Sequence, residues 1–351
     1  MNGCDTSAPV AERSAESVRP AMPLPWPECQ TLGLGVVSNP ASGRSRRRPA
    51  EVRALLSGHR HVHYVEARNP REMPAALESL ARAGVHVLAV DGGDGTAQMV
   101  LTALFQRSPL ETRPLLALLP SGTTNMTARD VGVAGSPLRA LDRVVAWTLG
   151  DRRASDVLTR SVLRIEGALG HESLHGMFFG AGAIQEGVAY FNQRVRGLGV
   201  GGNLGSAVAF VRGLCSVFRG RGGFPRPIRG AVSLDSGPEL EQDSLLVLVS
   251  TLERLVLGFR PYFGTGGGPL HFTTVSSRPR HLWRVLPFLV WGRRCRAGVP
   301  ENGYFSSDVS QVALAMDADF VLDGEVYRAD RRQGPLMVRD GGEARFLRMS
   351  R

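Results

Sequence analysis

The sequence predicts an α/β domain followed by a β-rich second domain. Two observations predict it. Between residues 31 and 150, short apolar runs alternate with segments of helical period, the pattern of a parallel sheet with helices on its faces. From about residue 151 the helical period fades into a succession of short apolar or alternating runs separated by turns, which reads as a mainly antiparallel unit.

Taken in order, residues 1–30 hold Pro, Ser, Ala and Glu without sustained periodicity and read as a disordered tail. "LGLGVVSNP" is a short strand ending in a turn, "AEVRALLSG" is helical, and "HVHYVEA" alternates like a strand. "REMPAALESLARAG" is a helix stopped by Gly84, and "VHVLAV" is a strand buried on both faces. "AQMVLTALF" is helical, "PLLALLP" is a strand, and "SPLRALDRVVAWTLG" is a helix ending at Gly150. The second domain, 151–330, supplies "SDVLTRSVLRIEG", "HGMFFGAGA", "RGAVSLDS", "DSLLVLVSTLE", "PLHFTTVSS" and "QVALAMDADFVLDGEVY" as strands or hairpins. One helical stretch, "GSAVAFVRGLCSVFRG", interrupts them. Residues 331–351 supply a last strand, "PLMVRDGGEARFLRM".

The 351 residues are 43% hydrophobic and 21% charged, as expected of a globular protein with ample core. No apolar run reaches the roughly 18 residues of a spanning helix, and no signal-peptide pattern opens the chain. Cys4, Cys29, Cys215 and Cys295 have neither disulfide-framework nor metal spacing. The expectation is a cytoplasmic protein. The net charge is +10, and all 42 basic residues are arginine. Lysine-based catalysis and a lysine P-loop are therefore excluded. Phosphate recognition falls to arginine, backbone amides and helix N-termini.

Ligands of doubly wound sheets bind beyond the carboxyl ends of the strands. Three segments leave predicted strands there: "SNPASGR" (38–44), "DGGDGT" (91–96) and "LPSGTTN" (119–125). Gly43, Gly92, Gly93, Gly95 and Gly122 are expected to let backbone N–H groups approach phosphate oxygens. Thr96 and Thr123 offer hydroxyls, Arg44 offers charge, and Asp94 sits where a carboxylate orients Mg²⁺ or a nucleophile beside the γ-phosphate.

"NPASG", "GGDGT" and "PSGTTN", in this order and spacing, resemble the catalytic domain of the diacylglycerol kinase and sphingosine kinase superfamily, above all its soluble bacterial lipid kinases. "GGDGT" alone is shared with NAD kinases and, in a close variant, with phosphofructokinases, whose first domain has a related three-layer fold. "FFGAGA", "STLERLVLGFRP" and "LDGE" resemble the same family's second domain, a β-sandwich.

The resemblance implies ATP across the three loops, contacted by Asn39, Ser42, Gly43, Gly92 to Thr96, Gly122, Thr123 and Asn125. It implies a phosphoryl-transfer role for Asp94, Asp156 near metal and lipid hydroxyl, Glu325 as proton acceptor, and lipid in the cleft between the domains. The last strand would return to the first domain. Mg²⁺ would be held in part by Asp94. Departures are Met99 and Met126 where the family has acidic residues. "GTGGGPL" (264–270) stands in place of an Asp-Gly metal turn, and Glu66 or Ala67 in place of an adenine-side threonine.

Other signals stand beside these. His59, His61 and His63 would share one strand face without a fuller ligand set. "GLGVGG" (197–202) has G-x-G-x-x-G spacing but no strand before it. It reads as a loop near the lipid cleft, beside Arg194 and Arg196. "HLWRVLPFLVWGRRCR" (281–296) mixes Trp283, Phe288 and Trp291 with arginines, suiting transient membrane contact, although Pro287 is expected to interrupt its helix. Dispersed arginines and few aromatics argue against nucleic acid. A homodimer is compatible with the sequence. The alternatives to an ATP-dependent lipid kinase are a kinase of a soluble acceptor such as NAD, distinguished by a polar pocket, and a non-catalytic nucleotide- or lipid-binding protein.

Overall fold

The computed structural model describes residues 30–43, 48–108, 110, 112–152, 155–187 and 227–350. The N-terminal tail up to residue 29, Arg44 and the residues after it to 47, Arg194, Arg196, "GLGVGG" and the helical stretch 205–220 lie outside the described residues.

Strands β1 (Leu34–Ser38), β2 (Val62–Glu66), β3 (Val87–Gly92) and β4 (Leu115–Pro120) pair in parallel in the order β2-β1-β3-β4. Every residue of β1, β3 and β4 is buried, which is why these runs are continuously apolar rather than alternating. Helices α1 (Pro49–Leu56) and α5 (Pro137–Thr148) cover one face through Val52, Leu56, Leu141, Val144 and the fully buried Trp147. Helices α2 (Met73–Arg82) and α3 (Asp94–Gln106) cover the other through Leu77, Leu80, Val100 and Leu104. A short α4 (Met126–Val131) follows β4.

The remaining strands are β5 (Ser155–Glu166), β6 (Leu174–Gly176), β7 (Phe178–Gly182), β8 (Gly230–Leu234), β9 (Leu240–Glu241), β10 (Ser244–Ser250), β11 (Leu270–Ser276) and β12 (Tyr304–Val309). They continue with β13 (Gln311–Met316), β14 (Ala318–Leu322), β15 (Glu325–Ala329) and β16 (Leu336–Met349). An antiparallel sheet, β12-β11-β10-β7-β14-β15, faces the antiparallel end of the first sheet, β16-β13-β8-β9. Phe179, Val247, Phe272, Leu314, Phe320 and Val338 interdigitate between them as a sandwich core.

β16 joins the two halves. Its first part pairs with β13, a register shift falls between Asp340 and Glu343, and Phe346 then pairs in parallel with Leu116 of β4. Gly342, with φ of 103°, supplies the bulge that re-aims the strand. A helix α6 (Leu282–Val290) packs against the second sheet. It runs through Pro287 without a break, contrary to the expected interruption. Burial of Leu282, Val285 and Leu289 offsets the one intrahelical bond that proline removes.

Candidate functional site

The three loops meet at the carboxyl edge of the parallel sheet, and their stems are tied first. Asp91, buried at the end of β3, accepts from Ser38 Oγ of β1 at 2.8 Å and from Ser121 Oγ after β4. One buried carboxylate thus holds all three strand ends in register. Asn39 accepts from Ala41 N at 2.9 Å and donates to Thr96 Oγ1 at 3.2 Å, and Ser42 Oγ accepts from Gly93 N at 3.1 Å. Asn125, in the left-handed region at φ 52°, accepts from Gly122 N at 2.6 Å and donates to Gly122 O at 2.9 Å. These bonds close the third loop.

The glycines do something other than the sequence suggested. A Cβ on Gly122 would lie 2.4 Å from Gly93 Cα, and one on Gly92 would lie 2.4 Å from the Thr96 side chain. Gly122 is glycine because loop packs on loop, and Gly92 because the Thr96 side chain of α3 fills the space beside it. The N–H groups of Gly93 and Gly122 are spent inside the cradle.

Asp94 opens α3 and reaches across to α4. Its carboxylate accepts from Thr127 N at 2.9 Å and Met126 N at 3.1 Å. Desolvation raises its pKa above the ordinary carboxylate value; the two backbone donors oppose the rise. Glu325 arrives from the second domain on a two-residue hairpin between β14 and β15, in which Leu322 pairs with Glu325. Asp323 (φ 47°) and Gly324 (φ 91°) form that turn, the Asp-Gly pattern favoured in type I′ hairpins. The turn sets Glu325 against the first turn of α3, where a Cβ on Gly95 would stand 2.5 Å from its Oε1.

Asp323, which sequence reasoning passed over, is a third carboxylate here. It is buried and accepts from Met177 N at 2.9 Å and Phe178 N at 3.0 Å. Desolvation and then the negative charge of Asp94 hold its pKa well above the usual carboxylate range. The signal that could have found it was the "DG" of "LDGE", read for its neighbour alone.

A cavity of about 260 Å³ joins these parts. One end is walled by Ser42, Gly43, Gly93, Asp94, Gly95, Gly122, Thr123, Asp323 and Glu325. The rest is mainly apolar, with Thr273 among Phe178, Ile184, Leu246, Leu248, Val256, Phe259, Val275, Val321 and, from α6, Leu282, Leu286 and Leu289. Asn39, Gly92, Thr96 and Asn125 are not on its wall. They hold the loops from behind.

Asp156 does not join the cluster. It is exposed on β5, pairs with Arg348 at 3.2 Å, and is not on the cavity wall. Met126 is on that wall, and its N–H, not a side-chain carboxylate, is what it gives to Asp94. The "GTGGGPL" run lies flat on β12: Cβ atoms on Gly264 and Gly266 would overlap the Ser306 and Asp308 carbonyls. Glu66 is held by Arg53 at 2.6 Å and by Tyr64 OH at 3.0 Å. Among the described residues no group of three or more His, Cys, Asp or Glu side chains forms a metal cage, so the three histidines of β2 and the turn before it do not make one.

Residues 33–159 match the diacylglycerol kinase catalytic domain family. That match takes in the first domain and the start of β5. A protein named "Probable lipid kinase YegS-like", from Enterobacter sp. (strain 638), is 35% identical over 81 residues. The match spans 23% of this chain and 26% of that relative, so it covers about a quarter of the relative's length. In fold, the chain is similar to the crystal structure of a diacylglycerol kinase from Bacillus anthracis str. Sterne, with TM-score 0.53 and 17% identity over 91% of this chain and 96% of the other. A second structure from that organism gives TM-score 0.59 at 18% identity, covering 91% and 97%. Those matches span both domains, so the α/β and β-rich halves share one arrangement with these two structures.

Proposed function

We propose that the chain is an ATP-dependent lipid kinase, transferring the γ-phosphoryl group to a hydroxyl of a diacylglycerol, a sphingoid base or a related lipid. One observation carries the reading. The cavity passes without a break from the glycine loops and Glu325 into an apolar channel in the second domain. A polar acceptor such as NAD would set charged groups against Phe178, Leu248 and Val321, at a desolvation cost these walls offer nothing to offset.

Asp94 and Gly95, the first two residues of α3, line the cavity, and the positive end of the helix dipole there suits the phosphates. Ser42 and Thr123 offer hydroxyls beside them. Glu325 takes the proton of the lipid hydroxyl. The lipid oxygen then bonds to the γ-phosphorus as its bond to the β–γ bridging oxygen breaks, leaving phosphorylated lipid and ADP. Mg²⁺ supplies charge neutralisation when bound. Asp94 fits it as a single protein carboxylate, because each of its oxygens accepts one backbone N–H and keeps a further lone pair. The absence of a three-ligand cage among the described residues fits an ion that arrives largely coordinated by phosphate and water.

The test is incubation with γ-labelled ATP and a panel of diacylglycerols, sphingoid bases and monoacylglycerols, with mass spectrometry of the products. A phosphorylated lipid supports the reading. ATP binding without transfer to any lipid favours a non-catalytic role, for which Met99 and Met126 in place of acidic residues give a chemical reason. Transfer to NAD alone overturns the lipid assignment.

A further inference from the structure

Helix α6 has two unlike faces. Leu282, Val285 and Leu289 turn inward, and Leu282 and Leu289 line the cavity. The opposite face carries Trp283 (55% exposed), Phe288 (43%) and Trp291 (57%). These are among the largest apolar side chains the described residues present to solvent. Trp291 packs edge-on to Phe259, with ring centroids 5.7 Å apart, and Phe259 itself lines the channel. The exposed aromatics therefore stand directly outside the apolar end of the cavity.

Charge is arranged around them in one sense. The segment 278–296 contains six arginines and no acidic residue. Of these, Arg284 projects from the outer face of α6, and Arg293, Arg294 and Arg296 follow it, all exposed. Aromatic side chains on one helical face, rimmed by arginines, suit the boundary between headgroups and acyl chains. Anionic headgroups supply the complementary charge, each arginine near such a surface strengthening binding about fivefold. Among the described residues no helix is long and apolar enough to cross a membrane, so contact through α6 would lie along the surface.

We propose that the outward face of α6 docks the protein on an anionic lipid bilayer and sets the mouth of the channel against it. The inference rests on the lipid-kinase reading and adds to it the surface through which the substrate enters. A lipid leaving the bilayer beside Trp291 would pass Phe259 into the channel without crossing water.

The experiment uses the full chain with vesicles of phosphatidylcholine, either alone or with about a third phosphatidylglycerol, and reads binding by co-sedimentation. Wild-type protein is expected on the anionic vesicles and largely free of the neutral ones. Trp283→Ala with Phe288→Ala, and separately Arg284→Glu with Arg293→Glu, are expected to weaken binding at least about tenfold at unchanged melting temperature. With four tryptophans present, Trp147 buried and Trp26→Phe carried throughout, brominated acyl chains give a second readout from Trp283 and Trp291. They should quench the fluorescence of the Trp26→Phe protein, and quenching should largely vanish when Trp283→Phe and Trp291→Phe are added. Vesicle binding that ignores these changes, no binding by wild type, or burial of the patch in a self-associated protein overturns the inference. The two readings fail separately. Wild type that docks through α6 yet phosphorylates no lipid retires the kinase assignment alone. Wild type that phosphorylates a monomeric short-chain lipid but ignores vesicles retires the docking surface alone.

Discussion

Gly95→Ala separates stability from catalysis at the proposed site. Gly95 is the second residue of α3, and its φ is not in the left-handed region. Alanine is favoured over glycine in a helix by up to about 1 kcal/mol. The variant should melt at or slightly above the wild-type temperature. The new Cβ, however, would stand 2.5 Å from Glu325 Oε1 and 3.1 Å from its Cγ, well inside ordinary contact. The far end of a flexible side chain must yield, and the carboxylate retreats by roughly 1 Å. A misplacement of that size costs on the order of 10²-fold in rate, equivalent to about 2.7 kcal/mol of barrier. The assay is kcat and KM with γ-labelled ATP and the best lipid of the panel, beside a thermal melt. Glu325→Gln is expected to lose 10²- to 10⁴-fold, and the double variant Gly95→Ala, Glu325→Gln little more. Near-wild-type kcat in Gly95→Ala, or losses that simply multiply in the double variant, would refute the role given to Glu325.

Asp94→Asn should abolish transfer and also cost about 1–2 kcal/mol of stability, because an amide nitrogen would face one of the N–H donors that cap α4; a urea titration measures the second effect. Leu286→Trp, filling the channel beside α6, should raise KM for long-chain lipids at least about tenfold while sparing short-chain ones, checked across an acyl-length series. His175 is buried against Phe105, and desolvation first, then Arg164 and Arg113, push its pKa down to about 4. The unfolded chain takes up this proton below about pH 6.5 while the folded chain does not, so stability is lost as pH falls from about 6.5 towards 4. The loss is about 3 kcal/mol, and His175→Phe should flatten that part of the pH profile in urea melts.

What was legible in the sequence was what short-range chemistry dictates. Continuous apolar runs revealed β3 and β4 because strands buried on both faces have no polar side to show. "GGDGT" and "PSGTTN" placed Asp94, Gly95 and Thr123 at the sheet edge, and "LDGE" brought Glu325 to them through a turn that Asp-Gly favours. Less legible was which small residues face a ligand and which face one another. Gly92 and Gly122 read as phosphate glycines, yet they admit a threonine side chain and a neighbouring backbone. Asn39 and Thr96 read as ligands, yet they bond each other. Asn39 and Thr96 are 57 residues apart, and Asp91 ties to Ser38 and Ser121 across 53 and 30 residues, so most of these distinctions depend on contacts remote in sequence. Asp156 came from a motif position, and its place was decided by Arg348, which sits opposite it in the β5–β16 register. The channel was invisible for the same reason: its wall is assembled from β7, β10, β11, β14 and α6, each unremarkable by itself.

One measurement bears most directly on the central claim that nucleotide and lipid meet in this one cavity. It is a crystal structure of the protein with a non-hydrolysable ATP analogue, Mg²⁺ and a lipid acceptor. The account predicts triphosphate against the first turn of α3, acyl chain between Leu248 and α6, and the lipid hydroxyl within hydrogen-bond reach of Glu325. A nucleotide bound away from the three loops, or a channel that stays closed to lipid while the acceptor sits elsewhere, would contradict it.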